Sequence, residues 1–180
     1  MGYHSIDKNG IRSELGKRVD RIYVMTKKLE AINKRNNKYE EAVLNKCNSC
    51  IRKIEDINYR SILRRGMLKD EISIERLDPV NLRVTSQIEV GKIKRITFNT
   101  IEEDFINYMM KKKVETDKKE IEYYICEYAS KANLTNSSID YMNIILDIPQ
   151  ESLKYLYKFR TEENMNYDEF YKIAEKELEF

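Results

Sequence analysis

The sequence predicts a mostly helical α+β fold made of a long basic helical hairpin, a small antiparallel β-hairpin and a C-terminal helical bundle. Apolar residues recur every three or four positions through residues 11–66, alternate in short runs between residues 71 and 98, and return to helical spacing from Thr100 onward. Strands so few need helices against at least one face. A chain of 180 residues can bury one sizeable core. The expected organisation is an N-terminal tail at 1–10, the basic hairpin at 11–66, and a body at 67–180 that forms one structural domain with the hairpin.

The first helix is read from Ile11, Leu15, Ile22, Met25, Leu29 and Ile32, with Asn9-Gly10 and Ser13 supplying turn and capping chemistry ahead of it. Asn33-Lys34-Arg35-Asn36-Asn37 interrupts that stripe with three amides. A second stripe follows in Leu44, Cys47, Ile51, Ile54 and Ile62 and ends near Gly66. Two helices on a short polar link fold back as a hairpin. One very long helix is the alternative, because asparagine lowers helix propensity only modestly. Arg18 and Asn36 at core-type positions favour packing on a globular body over a dedicated coiled coil.

The period then changes to two in Glu71-Ile72-Ser73-Ile74-Glu75 and Asn81-Leu82-Arg83-Val84-Thr85, and Lys92 to Phe98 is rich in β-formers after Gly91. Helical spacing resumes at Thr100-Ile101-Glu102-Glu103, which resembles a capped start leading to Phe105, Ile106 and Met109. A helix from Asp117 to Lys131 carries Ile121, Tyr124, Ile125 and Tyr128 on one side. A short helix spans Ser137 to Leu146, Pro149 opens another at its first position, and the last runs from Tyr167 to Leu178, packing by Phe170, Ile173 and Ala174.

The net charge of +2 conceals an asymmetry: residues 1–70 hold 17 Lys and Arg against 9 Asp and Glu, net +8, whereas residues 71–180 hold 16 against 22, net −6. The two ends can attract opposite surfaces, including those of a neighbouring copy. Three cysteines, with no signal peptide and no apolar run near 18 residues, fit a reducing, cytoplasmic setting and exclude membrane insertion. Cys47-Asn48-Ser49-Cys50 has half-site spacing but no second pair and no nearby histidine, so both thiols are expected to pack. His4, the sole histidine, reads as a surface residue of the tail. Glu102, Glu103 and Asp104 read as first-turn acids favoured by the helix dipole, and Asp78 before Pro79 as a turn residue.

The order of a basic helical hairpin, a short strand pair containing Pro79-Val80-Asn81-Leu82-Arg83-Val84 and Ile96-Thr97-Phe98-Asn99, and then this set of helices resembles the C-terminal lobe of the spore coat CotS-like family. Those proteins are similar to choline kinases and aminoglycoside phosphotransferases. The resemblance covers residues 16–178 and includes Lys34-Arg35-Asn36-Asn37-Lys38, Ser138-Ile139-Asp140-Tyr141-Met142 and Asn166-Tyr167-Asp168-Glu169-Phe170. It implies a kinase-like C-lobe in which a His-Gly-Asp tripeptide falls on Ile74-Glu75-Arg76 and an Ile-Asp-Phe-Asp motif on Ile96-Thr97-Phe98-Asn99. Asn81 would keep the companion metal-ligand position, but the two essential acids become Arg76 and Thr97. Phosphoryl transfer needs one acid to orient the substrate hydroxyl and the other to hold magnesium. A guanidinium does neither and a threonine hydroxyl is a weak substitute. The sequence ahead of residue 16 leaves no room for a nucleotide-covering lobe, and the five glycines are isolated.

The expectation is therefore a non-enzymatic, pseudokinase-like adaptor or structural protein with no cofactor and no metal. It would act through a protein partner or another copy of itself, and the resemblance implies a role in spore coat assembly during sporulation. Candidate contact residues are Lys17, Arg21, Lys28, Lys34, Arg35, Lys38, Arg64 and Arg65 on the basic hairpin, and Tyr123 and Tyr155 among the thirteen tyrosines. One alternative is nucleic-acid binding or regulation through the hairpin, although Ser137 to Leu146, where a recognition helix would lie, holds no Lys or Arg. A catalytic reading requires a separate chain that brings the missing lobe.

Overall fold

The computed structural model of the chain describes residues 11–32, 37–74, 82–84, 88–91, 93, 95–113, 116–159 and 166–178. Among them the fold is mostly helical. In chain order the elements are β1 (Arg12–Ser13), α1 (Lys17–Ile32), α2 (Lys38–Asp56), α3 (Tyr59–Leu68), β2 (Ile72–Ile74), β3 (Leu82–Val84), β4 (Ile88–Val90), β5 (Ile96–Phe98), α4 (Glu102–Lys112), α5 (Lys118–Lys131), α6 (Asn136–Asp147), α7 (Gln150–Phe159) and α8 (Tyr167–Leu178). No described helix is long and apolar enough to cross a membrane. The chain forms two compact units that interleave along the sequence: residues 1–16 with 60–121, and residues 17–59 with 122–180.

In the first unit, β5 lies between β1, which runs parallel to it, and β2, which runs antiparallel with Ser73 opposite Thr97. β3 and β4 form a separate antiparallel ladder. Two sequence expectations are corrected here. Residues 11–15 are not the start of a helix: Arg12 and Ser13 pair with β5, Glu14 N–H donates to the Phe98 carbonyl at 2.9 Å, and Gly16 takes φ 78°, a left-handed conformation that admits glycine without a Cβ clash. The strand at 82–84 pairs with 88–90 rather than with the run ending at Phe98, because the shorter loop closes at lower entropic cost.

The stripe ending near Gly66 is also interrupted. Ile57, with φ −83° and ψ 159°, caps α2, and a new helix starts at Tyr59. α3 passes through Gly66 and stops at Leu68, where Asp70 turns left-handed (φ 49°) and Glu71 N–H reaches back to the Gly66 carbonyl at 2.9 Å. Gly66 serves close packing instead: an added Cβ would lie 3.0 Å from Thr100 Cγ2 and 3.3 Å from Leu15 Cδ1.

The second unit is built around α2, whose Val43, Leu44, Cys47, Cys50, Ile51 and Ile54 are buried at helical spacing. α2 packs on α1, α6, α7 and α8, so α1 and α2 do form the expected hairpin. Asn37 caps α2 by accepting from Tyr39 N–H (3.0 Å) and Glu40 N–H (3.4 Å). The α7 N-terminus is capped from a distance, Glu177 of α8 accepting from the Glu151 and Ser152 amides at 3.0 and 2.8 Å. Pro149 directly precedes α7 rather than occupying its first turn. On α1, Thr26 shares the buried stripe with Ile22 and Leu29 by donating its hydroxyl to the Ile22 carbonyl at 2.8 Å, while Ile32 is exposed. α8 spans the residues the pattern assigned and buries Phe170 and Ala174.

Cys47 and Cys50 are free thiols at zero exposure, and burial pushes them up to about 12 and about 11. Thiolates are the reactive form, so both are inert while the core is closed. Cys126 is exposed. Titration of the native protein with an aromatic disulfide reagent is expected to show a single fast thiol that disappears in Cys126→Ser, with Cys47 and Cys50 reacting only as the chain unfolds.

Candidate functional site

Among the described residues of the first unit, a buried clamp is centred on Arg65. α3 presents Arg65 from its last turn, the left-handed stop at Asp70 returns the chain so that Glu71 faces it, and α4 opens with Glu102. Arg65 Nε and Nη2 donate to the two Glu71 oxygens at 2.8 and 3.0 Å, and Nη1 and Nη2 donate to those of Glu102 at 2.9 and 2.6 Å. One guanidinium thus makes two forked pairs, the geometry its planar donors favour. Glu102 is fully buried and the Arg65 side chain keeps 17% of its surface. Burial alone would lower the Arg65 pKa, but the hydrogen bonds it donates to Glu102 and Glu71 outweigh it and the group is raised.

Beside the clamp, Asp104 Oδ1 accepts from Ser73 Oγ–H at 2.7 Å and from Ile74 N–H at 2.8 Å, tying α4 to β2. Burial raises this carboxyl from 3.8 to about 6, against the lowering effect of those two bonds. Glu102, Glu103 and Asp104 do occupy the first turn of α4, as the dipole reading expected, but they are more than solvated dipole partners. The supposed cap at Thr100 is absent: Ile101 precedes the helix without a side-chain bond, and its own N–H donates to Glu71 Oε2 at 3.3 Å.

Thr97 lies at the middle of β5, 1% exposed, and its hydroxyl is the one buried side-chain polar atom without a hydrogen-bond partner among the described residues. Arg76 and Asn81, the other two positions of the implied phosphotransfer core, lie outside the described residues, as do Lys34 and Arg35. Among the described residues, no group of three or more His, Cys, Asp or Glu is arranged to hold a metal ion.

The proposed contact residues divide. Lys17, Arg21 and Lys28 are exposed on α1, Lys38 at the start of α2, and Arg64 on α3. Arg65 is corrected from surface candidate to clamp, because two carboxylates take its donors. Tyr123 is 60% exposed on α5. Tyr155 is half-buried: its hydroxyl donates to the Asn166 carbonyl and meets Glu169, each at 3.1 Å, and its ring lies 4.7 Å from that of Phe159. Tyr124, expected on the buried side of α5, is 41% exposed, since the helix buries only the narrow stripe Ile121, Ile125 and Ala129. The clamp escaped the sequence reading because Arg65, Glu71 and Glu102 share no helical period; the only hint was a run of three acids opening a helix.

No protein-family model, no curated protein and no solved structure gave a match to this chain. Fold and site together define a mostly helical α+β protein whose buried charges in the first unit hold structural elements together.

Two outcomes follow for the clamp. Arg65→Ala strands two buried carboxylates and is expected to lower stability by about 3 kcal/mol, read from the urea midpoint. For Asp104 the folded carboxyl binds its proton more tightly than the unfolded one, so its stabilising contribution is complete below pH 3.8 and is lost as pH rises through about 6. Asp104→Asn keeps an acceptor at Oδ1 for both bonds without the charge. It should stabilise the protein by about 1–2 kcal/mol near pH 7.5, an advantage that vanishes below about pH 4.

Proposed function

We propose that the chain works by binding rather than catalysis, as a non-catalytic adaptor or structural protein that engages protein through its helical faces. The observation that carries this reading is the Tyr123 and Tyr124 pair. Two large aromatic side chains, their ring centroids 5.8 Å apart, stand 60% and 41% exposed on a helix whose opposite face supplies the buried stripe. Tyrosine offers large contact area at little entropic cost and is enriched among the anchors of protein interfaces.

The fate of the polar groups supports the same reading. Arg65, Glu71, Glu102 and Asp104 spend their bonding capacity inside the fold. Thr97, which the resemblance sets at a magnesium-holding position, carries a neutral hydroxyl. The likeness to the C-terminal lobe of CotS-like proteins suggests that the binding serves spore coat assembly, in a pseudokinase-like role without nucleotide or metal, and within the sporulating cytoplasm or the coat itself.

Thermal unfolding with millimolar nucleotide and magnesium tests the proposal. A nucleotide present at a hundred times its dissociation constant would add about 2.7 kcal/mol, which raises Tm by roughly 5–10 °C for a chain of this size. The expected result is no shift beyond that of magnesium alone, and reproducible stabilisation that requires both would overturn the non-catalytic reading.

A further inference from the structure

α3 has two sides of different character. Ile62 and Gly66 are buried and Arg65 is held in the clamp, so one side belongs to the interior of the first unit. At about 100° per residue, Arg60, Arg64, Met67 and Leu68 fall together on the opposite side, and all four are exposed. The nearest acids along the chain are Asp56 and Asp70, so residues 57–69 carry Arg60, Arg64, Arg65 and Lys69 without a carboxylate. Glu71 and Glu102 neutralise Arg65. The side chains of Arg60, Arg64 and Lys69 make no hydrogen bond or ion pair among the described residues. Asp70 offsets Lys69 in the turn, which leaves the two arginines as the uncompensated charge of this face.

The same face ends in apolar residues. Met67 and Leu68 are 67% and 76% exposed, above every other large hydrophobic residue described. They open a run of four exposed residues, Met67 to Asp70, at the point where the chain turns left-handed and heads back into β2. The arginines stand behind this tip by about 5 Å and about 11 Å along the helix axis. Apolar side chains in front and cations one and two turns behind match the layers of a lipid interface, hydrocarbon beneath phosphate. Arginine suits the second layer, because its stem lies along apolar surface while its planar donors fork onto phosphate oxygens. Nucleic acid supplies phosphate but takes aromatic side chains between its bases rather than aliphatic ones. Leucine is also under-represented among the anchors of protein interfaces.

We propose that the α3 face formed by Arg60, Arg64, Met67 and Leu68 docks the protein on an anionic lipid surface. Met67 and Leu68 enter the boundary between headgroups and acyl chains, and the two guanidiniums meet headgroup phosphates. The contact is peripheral, since no described helix is long and apolar enough to cross a bilayer. Two cations and two aliphatic side chains make a weak and reversible anchor. This goes beyond the protein binding proposed above and does not rest on it: α3 from Arg60 onward belongs to the first unit, whereas Tyr123 and Tyr124 belong to the second.

Co-sedimentation of the full chain with vesicles tests the docking. The vesicles are phosphatidylcholine alone, or phosphatidylcholine with about 30% phosphatidylserine, at about 100 mM and about 500 mM salt. The expected result is binding to the anionic vesicles that falls at the higher salt, with little binding to the neutral ones. Two double variants, Arg60→Gln with Arg64→Gln and Met67→Gln with Leu68→Gln, should each weaken partitioning by about tenfold or more. Both should retain the wild-type circular dichroism, because all four side chains are exposed. No binding to anionic vesicles, equal binding to neutral ones, or binding that the arginine variant leaves intact would each overturn the proposal. Binding lost in the arginine variant but kept in the methionine and leucine variant would mark a purely electrostatic contact, of the kind nucleic acid or an acidic protein makes, and would overturn the lipid assignment as well.

Discussion

In the first unit a single guanidinium ties three segments together. Arg65 bridges the end of α3, the residue that leads into β2 and the first residue of α4, points that the backbone joins only by single bonds, Glu71 N–H to the Gly66 carbonyl and Asn99 N–H to the Glu71 carbonyl. Two carboxylates around one cation leave a formal excess of negative charge in a nearly closed space. That arrangement is tolerable because Glu102 sits at a helix N-terminus, where the exposed amides and the helix dipole favour an anion. The clamp also explains how α4 starts on an isoleucine without a side-chain cap. Glu71 accepts the Ile101 amide and Asp104 fastens the same turn to β2, so charges drawn from outside the cap position hold the helix start in place.

The same constraint bears on chemistry. A carboxylate that anchors a helix is poorly placed to exchange protons with a substrate, because losing its bond loosens the element that positions it. Thr97 shows the complementary limit. Its hydroxyl lies on the strand directly opposite Ser73, whose own hydroxyl is committed to Asp104. An aspartate at position 97 would bring a second buried carboxylate opposite Ser73, which already binds Asp104 of α4 with its raised pKa, at the cost of burying like charge. A neutral side chain therefore suits this sheet, even though leaving its hydroxyl unpaired costs about 1–3 kcal/mol.

What was legible in the sequence was local. α8 followed from Phe170, Ile173 and Ala174, and α6 was placed to within a residue at either end, because a helix declares itself through its own period. The hairpin of α1 and α2 followed from two stripes separated by amides, one of which became the α2 cap. Non-local pairings were hidden. Two residues of β1 pair in parallel with a strand more than eighty residues later, and nothing in Arg12-Ser13 signals it. The candidate site suffered for the same reason: Arg65 was read as surface because a basic residue in a basic helix looks solvated, and its carboxylate partners reach it only through a left-handed turn and a helix start. Tyr124 is more exposed than its spacing implied, and Tyr155 is half-buried. A tyrosine has an apolar ring and a polar tip, so helical spacing alone does not decide which end the fold retains.

α5 shows where folding requirements end. Its buried stripe steps four residues at a time through Ile121, Ile125 and Ala129, a narrow seam for fourteen residues of helix. Closing that seam asks nothing of position 123 beyond helix formation, for which lysine, glutamate or alanine would serve at lower cost than an aromatic ring. Tyr123 gains little from the core at 60% exposure and adds apolar surface that water must hydrate. On α1, Val24 is likewise a β-branched residue at an exposed helical position, where propensity would favour a straight chain. Both choices run against local helix preference, as do the exposed Tyr23 and Ile32 of α1. Positions at which a sequence departs from local preference without a gain in packing are those where a reason outside the folded chain is to be sought.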